Sequence, residues 1–318
     1  MFERLPTVLH SEELINKAFR RAARAGQRPG KEESVVVTAG NVLSDNLANL
    51  VRKFPSMEKL PPFYYELVDV ILGVDAIRIS LSRVGWASRQ IREISREYIG
   101  KMRESQQKSA LKREAFGRMA SIVRSIDQDL LFLNDTRNKL RRLPYVDPDM
   151  PAIIVAGYPN VGKSSFLVNV TDARPEIASY PFTTQGISVG HFSRNHRRFQ
   201  VVDTPGLLDR PLSDRNNIEL LALAALRHLK GAVLFILDPT EHSGFPIDVQ
   251  LRLLSDIKSW LNLPVLVVAN KMDLLDFADF ELSDTTMSTL TGDGISEVVD
   301  QLIDLLEGSL ESARGQIG

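Results

Sequence analysis

Three short polar segments of this sequence have the residue types and spacing to hold a nucleoside triphosphate and a metal ion. The first, GYPNVGKSS, fits the pattern G-x-x-x-x-G-K-[ST] and stands between an apolar run and a helical pattern. In that context the loop backbone surrounds the phosphates, Lys163 reaches the β- and γ-phosphates, and the Ser164 hydroxyl is a ligand of Mg²⁺. The nucleotide-binding residues predicted in this segment are Gly157, Asn160, Val161, Gly162, Lys163, Ser164 and Ser165.

The second segment, VVDTPGLL, is typical of the loop that senses the terminal phosphate of a nucleotide. Asp203 ends an apolar run and is predicted to hold Mg²⁺, and the N–H group of Gly206 is predicted to face the γ-phosphate. Between the two segments, SYPFTTQG supplies a threonine that can fold over the metal ion while the γ-phosphate is present. Thr183 and Thr184 both fit, and Thr184 is favoured as the metal ligand. The catalytic candidates are Asn160, Lys163, Thr184 and Gly206.

The third segment, NKMD, follows another apolar run and predicts which base is bound. The Asp273 carboxylate can accept hydrogen bonds from N1–H and the 2-amino group of guanine, whereas adenine would leave it unpaired. Sites built on such polar pairs discriminate by factors of ~10⁴–10⁵. Asn270 is predicted either to contact the base or to brace the P-loop, and the Lys271 stem to lie over the ring. The last guanine-contacting loop is predicted at Ser288, Thr289 and Leu290, with a backbone N–H meeting O6.

The elements that position these segments are visible in the hydrophobic pattern of residues 151–318. The apolar runs AIIVAG, RFQVVD, AVLFILD and PVLVVAN alternate with helical patterns at 217–229 and 248–261. This alternation predicts a mostly parallel sheet with helices on both faces. Ligands bind such sheets at the carboxyl ends of the strands, where all three motifs fall. We therefore predict an α/β P-loop GTPase domain over residues 151–318.

Residues 1–143 are predicted to form a separate all-α bundle. Helical patterns cover roughly 33–54, 63–72, 75–104 and 109–142. The last two are joined by the short polar segment ESQQKS, which predicts a long antiparallel helical hairpin. The segment LPYVDPDMP contains three prolines, ends the helical half and separates the two domains.

Composition limits the possible partners. The chain of 318 residues is 43% hydrophobic and 25% charged, which is typical of globular domains, and the absence of cysteine excludes disulfides and thiolate metal sites. Residues 76–142 carry 16 Lys+Arg against 7 Asp+Glu, which predicts contact with an anionic partner such as RNA, or else a surface coated by basic stems. Trp86 and Tyr98 could stack on bases, but a core position is favoured. No signal peptide or membrane-spanning run is present, so a cytoplasmic monomer without membrane contact is expected.

Longer stretches resemble known GTPases. The P-loop and YPFTT resemble the Obg branch of the translation-factor-related GTPases, and three stretches narrow the resemblance to the nucleolar GTP-binding protein 1 (Nog) family. These are DTPGLLDRPLSDRNNIELLALAALRHL, ILDPTEHSGFPIDVQ and FYYELVDVILGVDAIRISLSRVGWASRQIREISREYIGKM. The resemblance implies binding of GTP and GDP with Mg²⁺, and a role in ribosome biogenesis through rRNA and ribosomal proteins of the large-subunit precursor. Since the sequence stops soon after the GTPase domain, we expect a short, archaeal-type member.

The residue after Gly206 bears on the rate of hydrolysis. Many GTPases have a water-orienting glutamine there, whereas members of this group have a hydrophobic residue, and Leu207 conforms. Unassisted GTPases that have the glutamine turn over at only ~10⁻⁴–10⁻³ s⁻¹, so slow intrinsic hydrolysis is expected. The resemblance also suggests a K⁺ ion held partly by Asn160; bracing of the loop by Asn160 is the equal alternative. A binding module in which hydrolysis is incidental is the alternative function, and a membrane-surface GTPase is disfavoured.

Overall fold

The computed structural model describes residues 2, 4–25, 32–143, 145–173, 175–178, 187–204, 208–210, 215 and 217–315. The chain folds as two compact units. The first comprises Met1–Lys59 and Leu72–Arg141, and the second comprises Leu60–Ile71 and Arg142–Gly318. The segment Leu60–Ile71, counted with the helical half in the sequence analysis, therefore groups with the second unit. None of the described helices combines the length and the apolar character needed to cross a membrane.

Amphipathic helices build the first unit. The helices of the N-terminal half are α1 (Ser11–Ala25), α2 (Glu32–Lys53), α3 (Pro62–Leu72), α4 (Val74–Glu104), α5 (Lys108–Ser125) and α6 (Asp127–Leu140), of which α3 belongs to the second unit. Helix α2 packs against α1, α4 and α5. The core of the bundle contains Leu43, Ile77, Ile91 and Met119, all fully buried. This arrangement agrees with the predicted all-α bundle.

The predicted hairpin is present, but its second arm differs from the prediction. The sequence pattern predicted one helix over 109–142, and the structure interrupts it at Ile126, between α5 and α6. The Ile126 N–H bonds to the carbonyl of Val123, three residues back, which tightens the turn. Two polar neighbours favour the break: Ser125 Oγ donates to the Ile122 carbonyl, and the Asp127 carboxylate accepts the N–H of Ser11 at the start of α1. One local hydrogen bond and one to the distant start of α1 therefore accompany the break in a continuous apolar pattern.

A sheet forms the centre of the second unit. Its strands are β1 (Ala152–Ala156), β2 (Glu176–Ala178), β3 (Ile187–Arg194), β4 (Arg197–Asp203), β5 (Gly231–Leu237), β6 (Val265–Ala269) and β7 (Thr285–Thr286), in the order β2-β3-β4-β1-β5-β6-β7. Strands β4, β1, β5, β6 and β7 pair in parallel, while β2–β3 and β3–β4 pair antiparallel. The four predicted apolar runs are β1, β4, β5 and β6. Because β1 and β5 are buried along their whole length, they read as continuous apolar runs.

Helices alternate with these strands. They are α7 (Lys163–Val170), α8 (Asn217–Ala224), α9 (Ile247–Leu261) and α10 (Ile295–Gly315), and a short 3₁₀ helix at Ala225–His228 extends α8. From β1 the chain crosses to the edge strand β2, returns through β3 to β4 beside β1, and then passes β1 to reach β5 on its other side. Since such crossovers are right-handed, the two directions place helices on both faces of the sheet.

Strand β3 was not predicted from the sequence. It pairs with β4 from Ser188, opposite Asp203, to Arg194, opposite Arg197. The connecting residues Asn195 and His196 have φ of 49° and 62°, so both adopt the left-handed conformation that a two-residue type I′ hairpin requires. Such a turn is most readily recognised in sequence by Asn-Gly or Asp-Gly, and the Asn-His pair here lacks that signal.

Helix α3 is tied to the segment that precedes β1. The buried Tyr64 hydroxyl donates to the Val146 carbonyl at 2.8 Å and accepts the Val146 N–H at 3.0 Å. The Gln200 side chain of β4 bonds both N–H and carbonyl of Asp147 and the carbonyl of Met150. These bonds fasten the proline-rich segment to the sheet, and α3 with it, which explains why Leu60–Ile71 groups with the second unit.

Candidate nucleotide-binding site

The P-loop connects β1 to α7, and two of its glycines have a conformation that requires glycine. Gly157 has φ of 136° and Gly162 has φ of 110°. A Cβ atom on Gly157 would lie 2.5 Å from the carbonyl oxygen of Ile236, and one on Gly162 would lie 2.2 Å from Nδ2 of Asn270. The loop therefore lies directly against β5 and against the predicted base-reading segment. Its sequence pattern follows from this close approach of the backbone.

Lys163 is enclosed by the loop that precedes it. Its Nζ atom donates to the carbonyl oxygens of Gly157 at 2.8 Å and Tyr158 at 2.7 Å. Burial lowers the pKa of Lys163, and the nearby Asp203 carboxylate opposes this shift. The ammonium group lies at the start of α7, where the helix dipole also favours an anion. This arrangement suits the phosphates of a nucleotide.

Ser164 and Asp203 bring together two side-chain oxygen groups that can act as metal ligands beside Lys163. Ser164 Oγ donates to Asp203 Oδ2 at 2.9 Å, and Asp203 is fully buried at the end of β4. Its second oxygen, Oδ1, is buried without a hydrogen-bond partner among the described residues. Burial raises the pKa of Asp203, against the Ser164 hydrogen bond and the Lys163 charge. A hard divalent cation would supply the missing partner, so these two residues fit Mg²⁺.

A cavity of about 340 Å³ adjoins the P-loop. Its walls bring together the predicted residues Asn160, Gly162, Ser165, Asn270, Lys271, Asp273, Thr289 and Leu290. His242 and Leu274, which the sequence analysis did not single out, also line it. Val161 and Ser288 are hydrogen-bonded to two of the lining residues, Asn270 and Asp273 respectively.

Asn270 joins three loops. Its Nδ2 atom donates to the carbonyl of Val161 at 2.7 Å and to Thr289 Oγ1 at 2.9 Å, and its Oδ1 accepts the N–H of Thr289 at 2.9 Å. The side chain is almost fully buried. Of the two roles considered for Asn270, the structure contains the contacts that brace the P-loop.

Asp273 is oriented by Ser288. Ser288 Oγ donates to Asp273 Oδ1 at 2.6 Å and accepts the N–H groups of Leu290 at 3.2 Å and Thr291 at 3.1 Å. Ser288 is fully buried, so the carboxylate is held by a fixed donor. One residue thereby sets both the carboxylate and the loop at 288–291. The second carboxylate oxygen remains able to accept from a ligand.

Asn160 lies at the edge of the cavity. It is exposed and has φ of 63°, and its side chain makes no hydrogen bond within the described part of the chain. The side-chain amide can therefore turn to a ligand or an ion. The remaining switch predictions, at Thr183, Thr184, Gly206 and Leu207, lie outside the described residues.

A stripe of α4 presents basic and aromatic side chains to solvent. Arg89, Arg96 and Arg103 are spaced by seven residues, so they lie on one face of the helix, and all three are exposed without an ion pair among the described residues. Trp86, on the same face, is 42% exposed, so the core position favoured for it from the sequence was wrong. Tyr98, by contrast, is fully buried, in agreement with the core position predicted for it from the sequence. Other basic side chains of α4 are paired: Arg78 with Glu58 and Asp75, Arg92 with Asp45, and Lys101 with Glu97.

The fold and the site together define a P-loop protein of the GTPase type: a phosphate loop at the carboxyl end of β1, an acid at the end of β4, and the NKMD segment after β6. The chain belongs to the nucleolar GTP-binding protein 1 family. The N-terminal helical domain of that family matches residues 2–147, and the family's own domain matches residues 217–273. The predicted family resemblance is thus confirmed.

Similar proteins span archaea and eukaryotes. The chain is 41% identical to protein MJ1408 of Methanocaldococcus jannaschii over 290 residues, 86% of this chain and 81% of that protein. It is 38% identical to nucleolar GTP-binding protein 1 of Caenorhabditis elegans over 83% of this chain and 41% of that protein. A solved structure described as a candidate nucleolar GTP-binding protein 1 from Plasmodium falciparum is 34% identical, with a TM-score of 0.49 over 54% of this chain and 93% of that one. The chain spans about half the length of the curated relatives that carry this name.

Proposed function

We propose that this chain binds a guanine nucleotide with Mg²⁺ and hydrolyses GTP slowly to GDP and phosphate. The observation that carries the proposal is the Asp273 carboxylate, fixed by Ser288 in a cavity that Gly162 and Ser165 of the P-loop also line. N1–H and the 2-amino group of guanine are two donors on one edge, and a carboxylate accepts both. Adenine offers an acceptor at N1, which would leave the carboxylate without a partner.

The phosphate end of the site follows from the P-loop. Lys163 and the N–H groups at the start of α7 would bind the β- and γ-phosphates. Mg²⁺, held by Ser164 and Asp203, would neutralise charge that develops on these phosphates during hydrolysis. Thr184 as the third metal ligand and the Gly206 N–H at the γ-phosphate remain predictions from the sequence.

Calorimetry with GTP and ATP in the presence of Mg²⁺ tests this assignment. We expect GTP to bind and ATP to bind weaker by orders of magnitude. Asp273→Ala should remove most of this preference, and Asp300→Asn, on the surface helix α10, should preserve it. Equal affinity of the native chain for GTP and ATP would exclude the proposal.

The slow rate follows from Leu207, because a side chain without polar atoms cannot orient the attacking water. A K⁺ ion held partly by Asn160 is a proposed compensation, since a fixed positive charge beside the phosphates stabilises the leaving group. The side chain of Asn160, exposed at the cavity edge and without a hydrogen bond to the residues that the structure describes, supports it. Turnover measured in KCl and in NaCl decides: faster turnover in KCl that is lost in Asn160→Ala supports the ion, and equal rates leave Asn160 outside catalysis.

The proposed partner is RNA of the large ribosomal subunit precursor, bound with its ribosomal proteins by a monomeric chain. The exposed stripe of Arg89, Arg96 and Arg103 beside Trp86 supports an anionic partner, because arginines at two-turn spacing that form no ion pair with the described residues can each neutralise a phosphate. Structured RNA is recognised largely through backbone and shape. The name of the eukaryotic relatives, nucleolar GTP-binding protein 1, supports the same direction.

Two triple variants separate RNA contact from general surface charge. Replacing Arg89, Arg96 and Arg103 with Gln should weaken binding to large-subunit precursor particles and reduce the salt slope by about three, at about 0.9 for each lost phosphate contact. The matched control replaces the paired residues Arg78, Arg92 and Lys101 with Gln and should change the slope less. Binding that is independent of salt, or equal losses in both variants, would argue against this surface.

The nucleotide is proposed to act as a timer: the GTP form is held on the particle and hydrolysis releases it. The alternative, favoured by the apolar Leu207, is a binding module in which hydrolysis is incidental. Single-turnover hydrolysis with and without precursor particles distinguishes them. Stimulation by the particle supports the timer, and an unchanged rate supports the module.

A further inference from the structure

The loop between β5 and α9, residues 238–246, forms one wall of the nucleotide cavity. Its His242 lines the cavity, and the ring of its Phe245 packs on Tyr158 of the P-loop with 4.5 Å between ring centroids. His242 Nε2 also lies 2.9 Å from Asp276 Oδ2, just after the base-reading segment. The loop therefore contacts both the phosphate and the base sides of the cavity.

Asp238 at the start of this loop is a fully buried carboxylate with four donors. Its Oδ2 accepts from Lys271 Nζ and from the N–H of Ser243, both at 2.6 Å, and its Oδ1 accepts from the N–H and the hydroxyl of Thr240 at 3.1 and 2.6 Å. Burial alone would raise the pKa of Asp238, but these donors, Lys271 foremost, hold it below its ordinary value. The carboxylate is thus ionised and fixed in direction.

The side chain of Lys271 needs the fixed Asp238 carboxylate as a partner. Its backbone has φ of 71°, a left-handed conformation that residues with a Cβ rarely adopt and that persists only where the surroundings hold it. Its side chain lines the cavity and is 21% exposed, whereas Asp238 is wholly enclosed. The Asp238 carboxylate therefore holds the Lys271 ammonium at the wall of the cavity. The aliphatic stem of Lys271 extends along the space for the base.

We propose that Asp238 is a positioning residue for the nucleotide base, which holds Lys271 against the cavity wall and thereby slows release of the nucleotide. The proposal rests on guanine-nucleotide binding at this site. Asp238 does not touch the nucleotide; it acts through Lys271, which lies 33 positions later in the chain. An ion pair whose partners come from two loops also keeps the loops at a fixed distance, so the cavity does not need to form when the nucleotide arrives.

The loop backbone has a support that does not depend on the carboxylate. Gln250 of α9 accepts the Asp238 N–H at 2.8 Å and donates to the carbonyls of Asp238 at 3.0 Å and Phe245 at 2.8 Å. Removing the charge of Asp238 should therefore release Lys271 without releasing the loop. This separation makes the positioning role testable by substitution.

The test measures release of a fluorescent GDP analogue from the full chain. Asp238→Asn should accelerate release by about 10- to 100-fold, the range expected for loss of a hydrogen bond to a charged group. Asp300→Asn is the matched control, because it removes a carboxylate that pairs with Arg194 on the surface of the same unit. It should leave the release rate unchanged. A native chain that binds no GDP would refute the proposed function itself, whereas a native release rate in Asp238→Asn would refute only the role of Asp238.

A double variant keeps the test decisive if Asp238→Asn fails to fold. Asp238→Asn combined with Lys271→Gln replaces the ion pair with a neutral amide pair. If Asp238 acts through Lys271, the double variant releases GDP no faster than Lys271→Gln alone and unfolds at an equal or higher temperature, because no unpaired buried carboxylate remains. Additional acceleration in the double variant would show that Asp238 acts independently of Lys271 and would overturn the proposal.

Discussion

Gly162→Ala should disturb the phosphate loop and the base pocket together. A Cβ atom on Gly162 would lie 2.2 Å from Asn270 Nδ2 and 2.9 Å from Thr289 Oγ1. Ordinary contact needs about 3.5 Å, so the loop or Asn270 must move by roughly 1.3 Å. That shift breaks the Asn270 bonds to Val161 and Thr289, worth about 0.5–1.5 kcal/mol each. The left-handed φ of 110° adds about 1–3 kcal/mol of strain.

The sum predicts a loss of about 2–6 kcal/mol in the free energy of unfolding, with at least tenfold weaker GDP binding. Denaturant titration and calorimetry measure the two quantities. Gly308→Ala is the control, because Gly308 lies in α10 of the same unit and a Cβ there meets no atom within 4 Å. It should gain about 0.5–1 kcal/mol and bind GDP normally. Native stability and native GDP affinity in Gly162→Ala would refute the reasoning.

Three further predictions concern single contacts. Tyr64→Phe leaves both Val146 groups unpaired and should cost about 1–3 kcal/mol in denaturant titration. Burial raises the pKa of Tyr64 to about 12, whereas its pKa in the unfolded chain is about 10. The stabilising contribution of Tyr64 is therefore complete below pH of about 10 and is lost as the pH rises through about 12, a dependence that the Phe variant should not show. Because burial raises the pKa of Asp203, protons should displace Mg²⁺ at a higher pH than they would from an ordinary carboxylate. Mg²⁺-dependent retention of GDP should therefore fall as the pH falls, and Asp203→Asn should remove this pH dependence. Ser288→Ala frees Asp273 and should weaken GDP binding about 3- to 10-fold by calorimetry, and an unchanged affinity would count against that bond.

Much of the fold could be predicted because its signals are local. The strands β1, β4, β5 and β6 are short apolar runs, and α4 follows a pattern of three and four residues, so burial is encoded in each segment by itself. The P-loop could also be predicted from the sequence, because Gly157 and Gly162 stand at positions where only glycine fits. The family resemblance extended this reading to the helical half.

Other elements depended on contacts with other segments of the chain. The break at Ile126 is accompanied by the bond between Asp127 and Ser11, which lie 116 positions apart, and the apolar pattern continues through it. Strand β3 was missed because its partner β4 and the left-handed turn at Asn195 define it more strongly than its own composition. The grouping of α3 with the second unit is accompanied by the bonds of Tyr64 to Val146, which lies 82 positions later in the chain.

The amino-acid sequence by itself determined the P-loop and NKMD motifs, the main parallel strands and the basic character of α4. Only the tertiary structure decided which of the α4 arginines pair with described carboxylates, that Asn270 braces the P-loop, and that Asp238 is paired with Lys271. The physical reason is the range of the interactions. A glycine or an apolar run reflects the backbone conformation or the burial of its own segment, so it can be recognised in the sequence. A buried ion pair depends on where two distant loops meet, and that position is set only when the sheet has formed.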